Sequence, residues 1–192
     1  MKKNRLEAFS DAVIAIIITI MVLELKIPKD GNLTSLIPLI EIFLSYVLSF
    51  VYLGIYWNNH HHLFHIAKRV NGKILWTNLF LRFWLSLIPF VSAWAGESHF
   101  SKYPMMFYGG VLLMAAISYY ILQINILSQL EKDSKIIKAF GKDIKGKISP
   151  ILYLIGIPMS IINTWVAMLI FTIVALLWLI PDKRIEDAME LN

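Results

Sequence analysis

The sequence predicts an all-α integral membrane protein, one domain over residues 1–192, with six transmembrane helices and both termini cytoplasmic. Three observations lead there. Apolar residues make up 58% of the chain and charged residues only 16%, against about 25% charged in an ordinary soluble domain. The apolar residues are gathered into long blocks, and nearly all charges lie between the blocks. The alternating segments of about ten residues that mark a membrane β-barrel are absent, so the blocks should cross as helices.

Each crossing takes roughly 20 helical residues at about 1.5 Å of rise each. The first span is expected over residues 9–27, with Lys2, Lys3 and Arg5 before it and Pro28, Lys29, Asp30 and Gly31 ending it. The second covers 36–57 and leads into Asn58, Asn59, His60, His61 and His62. The third covers 74–94, with Gly96, Glu97 and Ser98 after it, and the fourth covers 105–127. The last apolar region, 148–180, is long for one helix and tight for two. Gly156, Pro158, Asn163 and Thr164 near its middle favour two short helices, 148–161 and 164–180, over one long kinked helix.

The charges set an orientation. With the N-terminus inside, the inner side holds Lys2, Lys3, Arg5, Lys68, Arg69 and Lys73, then Lys132, Lys135, Lys138, Lys142, Lys145 and Lys147. The outer loops hold only Lys26, Lys29 and Lys102, the asymmetry of the positive-inside rule. Six crossings return the C-terminus to the inside, beside Lys183 and Arg184. The net charge of +5 is thus explained by topology, and no nucleic-acid partner is expected. The expected surroundings are membrane lipids. Absence of cysteine excludes disulfides and thiolate metal sites, and no cleavable signal sequence is expected. Trp57, Trp76, Trp94 and Trp178 fall near helix ends, as an interfacial aromatic belt would place them.

Polar residues inside spans narrow the function. Arg5, Ser10 and Asp11 flank Phe9 at the start of the first span. Ser10 or Asp11 could begin a helix by capping backbone N–H groups, or the cluster could tie several helices together. Ala12, Ile16, Thr19 and Leu23 recur at four, three and four, which puts them on one helical face, with Glu24 at its far end. That face reads either as ordinary packing or as a pore lining. His61 and His65 are four apart on a helix, but no third ligand accompanies them, so no metal site is expected. Asn78 needs a partner in the third span, and Arg82 either snorkels to the bilayer edge or pairs with Asp11. No phosphate-cradling loop, carboxylate pair or nucleophile–base pair is present, so enzyme activity has no support.

The segment Arg5-Leu6-Glu7-Ala8-Phe9-Ser10-Asp11 resembles the Arg-x-x-x-Phe-Ser-Asp signature of the transmembrane protein 175 family of potassium channels, in its bacterial branch. The likeness continues in Leu23-Glu24, in Tyr56-Trp57-Asn58-Asn59-His60-His61, in Trp76-Thr77-Asn78-Leu79 and in Ser86-Leu87-Ile88-Pro89-Phe90. The resemblance implies a homotetramer of six-helix subunits whose first helix lines a cation path. It further implies a main hydrophobic constriction at Ile16, further layers at Thr19 and Leu23, and a contribution from Ile20. Arg5, Ser10 and Asp11 should join His60, His61 and Asn78 in a polar network. His62 and Arg82 depart from the family pattern, which has a basic residue, often arginine, at the first position and an apolar one at the second.

The expected function is therefore a potassium-permeable, modestly selective cation channel, with potassium as permeant ion and no cofactor. A coupled secondary transporter using Asp11 and the histidines as a proton relay, or a non-conducting membrane scaffold, would use the same residues differently.

Overall fold

The computed structural model describes residues 2–28, 30–131, 135–141 and 143–180. The expectations on Lys29, Lys132, Lys142, Lys183 and Arg184 lie outside the described residues. The described chain is helical: α1 (Lys3–Leu23), a 3-10 segment (Leu33–Leu39) leading into α2 (Ile40–His65), α3 (Gly72–Ser86), α4 (Ile88–Glu97), α5 (Lys102–Leu127), a short α6 (Lys135–Gly141), α7 (Ile144–Ile162) and α8 (Thr164–Leu179).

Among the described residues, five segments are long and apolar enough to cross a membrane: Lys3–Leu23, Leu33–His65, Gly72–Glu97, Lys102–Leu127 and Ile136–Ile162. The sixth, α8, is apolar but has only 16 residues, about 24 Å of helix against a hydrocarbon core of roughly 30 Å.

Local chemistry explains the boundaries. α1 starts at Lys3 with no side-chain cap, so Ser10 and Asp11 lie inside the helix and neither begins it. It stops at Leu23, short of Ile27, in a tight turn where the Leu25 N–H donates to the Val22 carbonyl at 3.2 Å. Pro28 then disfavours helical backbone at the residue before it. α2 runs on to His65 and so carries the whole histidine cluster on its last turns. The third apolar block is two helices rather than one, broken at Leu87. The ring of Pro89 would strike the carbonyl four residues back, and it has no N–H to give. The region 148–180 is two helices meeting at Asn163, whose side-chain oxygen accepts from the N–H groups of Trp165 (3.0 Å) and Val166 (3.3 Å). Asn71 and Asp143 cap α3 and α7 in the same way.

α5 stands centrally, against α3, α4, α7 and α8, while α1 packs on α2, α3 and α4 at one side of the subunit. Small residues set the closest approaches. The ring of Phe171 on α8 is sandwiched between Gly109 of α5 and Gly156 of α7, where a Cβ on either would come within 2.5 Å of a ring carbon. Gly96 of α4 lies against the α2 backbone: a Cβ there would stand 2.7 Å from the Ile42 Cα. Backbone cannot swing aside as a side-chain tip can. Gly96→Ala is therefore expected to cost about 1–3 kcal/mol by overpacking, seen as a lowered melting midpoint in detergent. Gly110→Ala, where the added carbon meets open space, should leave the midpoint unchanged. Equal midpoints for both variants would show that α2 and α4 are not held this closely.

Candidate functional site

The sequence of α1 divides into two faces. Leu6, Ser10, Ile14, Ile17 and Met21 recur at four, four, three and four and are buried in the subunit. The face made by Ala12, Ile16, Thr19 and Leu23 is uncovered: Ile16 is 59% exposed and Leu23 76%. Ile20 is 44% exposed on its flank. Ile16, Ile20 and Glu24 form one wall of an open groove of about 670 Å³, with Ser86, Pro89, Phe90, Trp94 and Glu97 opposite. The Thr19 hydroxyl donates to the Ala15 carbonyl at 2.8 Å, so its proton is satisfied within its own helix and its oxygen lone pairs stay free on the exposed face. At the far end Glu24 is exposed, and Lys26 pairs with Glu97 at 2.6 Å.

On the buried face, Ser10 begins a chain of two hydrogen bonds that runs through Asn78 of α3 to His60 of α2. The Asn78 amide nitrogen on α3 donates to Ser10 Oγ at 3.0 Å, and His60 Nε2 on α2 donates to the Asn78 side-chain oxygen at 2.8 Å. That pairing assigns the proton to Nε2. All three side chains are at most 1% exposed. The His60 ring also stacks on Phe64, with centroids 4.3 Å apart. Apart from this trio, Asp11 accepts a hydrogen bond from the Trp57 indole at 3.1 Å, and the Lys3 ammonium donates to the His65 carbonyl at 3.0 Å. α1 is thus fastened directly to α2 at two heights and to α3 at one, and Asn78 carries the α3 link on to α2.

The structure brings together Ser10, Asn78 and His60 from the expected network and leaves the others apart. Arg5 is exposed, and its side chain makes no hydrogen bond or ion pair among the described residues. His61 is exposed, its ring 5.8 Å from that of His62 between centroids, and it makes no side-chain hydrogen bond among the described residues. Asp11 bonds to Trp57 rather than to a histidine or to Arg82. Trp57 is the partner that sequence reasoning missed. An interfacial-belt explanation sufficed for it, although it adjoins the Asn-Asn-His-His run. Arg82 neither snorkels to the bilayer edge nor pairs: it is 3% exposed, and its three side-chain nitrogens have no hydrogen-bond partner among the described residues. Among the described residues no group of three or more His, Asp or Glu side chains is arranged to hold a metal ion.

Fold and site together define a multi-pass helical membrane protein whose N-terminal helix is held by polar bonds on one face and left bare on the other. Comparison with known proteins places that class. Residues 5–89, from the start of α1 to the Pro89 break, match the family described as endosomal/lysosomal potassium channel TMEM175. A protein named as a potassium channel in Chryseobacterium sp. (strain P1-3) is 52% identical over 193 residues, covering 100% of both chains. Another so named, in Chamaesiphon minutus, is 29% identical over 178 residues, 85% of this chain and 87% of its own length. The crystal structure of a homologue of the lysosomal potassium-selective channel TMEM175 from Chamaesiphon minutus superposes with a TM-score of 0.79 at 28% identity, covering 92% of this chain and 95% of the other. The chain belongs to the TMEM175 family. It is a multi-pass protein of the cell membrane, and its relatives are channels rather than enzymes.

Proposed function

We propose that this chain forms a potassium-permeable, modestly selective cation channel, a homotetramer with both termini cytoplasmic and α1 of each subunit lining the path. The observation that carries this reading is the bare face of α1. A helix fastened to its own subunit by Ser10, Asp11 and Lys3 yet leaving Ile16, Thr19 and Leu23 uncovered is built to meet copies of itself. The match to relatives named as potassium channels supports it.

Around a shared axis, Ile16 supplies an aliphatic ring with no oxygen to replace a hydration shell. The ion that gives up water more readily crosses more easily, so potassium is favoured over sodium. Thr19 and Leu23 form further layers, Ile20 contributes at their edge, and Glu24 raises the local cation concentration at the outer mouth. Potassium is the permeant species, driven by its own gradient. Arg5 and His61, exposed at the inner end, are placed to find partners on a neighbouring subunit, and His62 lies beside them. Exposed apolar side chains of α5, α7 and α8, such as Phe107, Ile151 and Leu169, face lipid.

A proton relay through Asp11 and the histidines is disfavoured. Asp11 is bonded to an indole and His60 to an amide, and among the described residues no hydrogen bond joins Asp11 to a histidine. The test is cation flux in proteoliposomes containing only this protein. Potassium efflux down its gradient, faster than sodium efflux and independent of any co-substrate, is the expected result. Flux that requires a proton gradient would turn the reading toward a transporter, and a silent preparation of folded tetramer toward a scaffold.

A further inference from the structure

We propose that Arg82 is an electrostatic brake on permeation, a fixed positive charge behind the pore wall that lowers cation conductance without setting which cation is preferred. The inference rests on the reading of α1 as the pore lining.

Arg82 is 3% exposed on α3, and Nε, Nη1 and Nη2 have no hydrogen-bond partner among the described residues. No carboxylate there lies within ion-pair distance of it. The titratable groups whose charge reaches it are His60 of α2 and Asp11 of α1. His60 is occupied by Asn78, and the Asp11 carboxylate is exposed and engaged with Trp57. The guanidinium is therefore offset only in part, by the Asp11 charge beyond ion-pair distance, and has no bonded counter-charge among the described residues. Such a group is costly to keep in a low-dielectric interior.

Its height along the pore helix follows from one hydrogen bond and one shared groove wall. Asn78, one turn earlier on the same face of α3, bonds to Ser10 of α1. Ser86, one turn later, shares the walls of the groove with Ile17 of α1. Arg82 is midway between them and so stands level with Ile14, between the heights of Asp11 and Ile16. Ile14 is on the buried face of α1 and Ile16 on the bare face. The charge is thus about one helix diameter, roughly 10 Å, from the proposed path. In hydrocarbon it is weakly screened. Four symmetric copies would add their potentials at the level where an ion begins to lose water before Ile16. A cation of either kind meets the same repulsion, because the term depends on charge and not on hydration.

The experiment is single-channel recording of the wild type, Arg82→Met, Arg82→Gln and Arg82→Lys in planar bilayers, with assembly checked by size exclusion. The neutral variants are expected to raise unitary cation conductance at least threefold while the potassium–sodium reversal potential stays where it was. Arg82→Lys, which keeps the charge, should remain within twofold of the wild type. Unchanged conductance in an assembled Arg82→Met, or an equal rise in Arg82→Lys, would overturn the proposal, as would loss of assembly in both neutral variants, since that would make Arg82 a structural residue. A wild type that assembles but carries no cation current would instead overturn the channel reading beneath it.

Discussion

Ile16→Asn should raise potassium flux about tenfold or more and draw the potassium and sodium permeabilities together. A tenfold change corresponds to about 1.4 kcal/mol off the barrier. On the proposed reading, Ile16 offers the path a branched hydrocarbon surface, 59% exposed on the outward face of α1. A ring of such side chains keeps a short stretch dry, and an ion must shed water there with no oxygen to receive it. The asparagine side chain is of similar size but brings a carbonyl oxygen and an amide. It would let water stay in the constriction and offer the ion a ligand, so both ions would cross more easily. Sodium, which holds its water more tightly, would gain more. Flux and reversal potential measured together check this. A variant with the flux and ion ratio of the wild type would place the constriction elsewhere, with Leu23 the next residue to test. The buried face should respond differently: Ile17→Val, a small loss of volume in the core, would cost about 0.5–1.5 kcal/mol of stability and leave the ion ratio as it is.

Asn78→Leu is the change expected to damage the subunit most through a single polar side chain. Asn78 is fully buried and bridges two others, donating to Ser10 Oγ and accepting from His60 Nε2. Leucine fills the volume but leaves a buried hydroxyl and a buried imidazole N–H without partners. Each such orphan costs about 1–3 kcal/mol. The sum, roughly 2–6 kcal/mol, is large beside the whole stability of a typical domain. The expected result is a melting midpoint in detergent well below that of the wild type and faster hydrogen exchange along the first half of α1. Ser10→Ala, which leaves His60 paired and orphans only the Asn78 amide N–H, should cost about half as much. Adding Ser10→Ala and His60→Phe to Asn78→Leu removes the orphans and should recover much of the loss, because apolar replacement of both partners is nearly neutral. A midpoint for Asn78→Leu equal to that of Ser10→Ala would show that the trio does not hold α1 in place.

The elements legible in the sequence were those governed by local chemistry. Block length against bilayer thickness identified helical spans, because lipid offers backbone groups no partner and leaves the helix to satisfy them. Asn163 ended one helix and began the next, since its side chain competes for the same N–H groups whatever surrounds it. Local boundaries were less legible where a continuous apolar run hid a break. Nothing in the hydropathy of Leu87-Ile88-Pro89 interrupts the third block, yet Pro89 splits it into α3 and α4. In the same way the helical run past Trp57 to His65 was obscured by polar residues that leave the bilayer without leaving the helix.

The candidate site divides along the same line. A period of 3.6 residues puts Ile16, Thr19 and Leu23 on one face from the sequence alone, and puts Ser10 on another. It does not say what either face meets. Both a packing stripe and a pore stripe have the same spacing. The family resemblance grouped Ser10 with Asn78 and His60, residues 68 and 50 positions away along the chain, but only the tertiary structure supplied the bonds, Asn78 to Ser10 and His60 to Asn78. Only it gave Asp11 to Trp57, left Arg5 and His61 exposed, and enclosed Arg82 with no partner. Helix formation and membrane crossing are decided by each segment's own side chains in contact with backbone and lipid. Which side chain answers which across the bundle is decided by how whole helices pack, and that depends on shapes and breaks distributed over the entire chain.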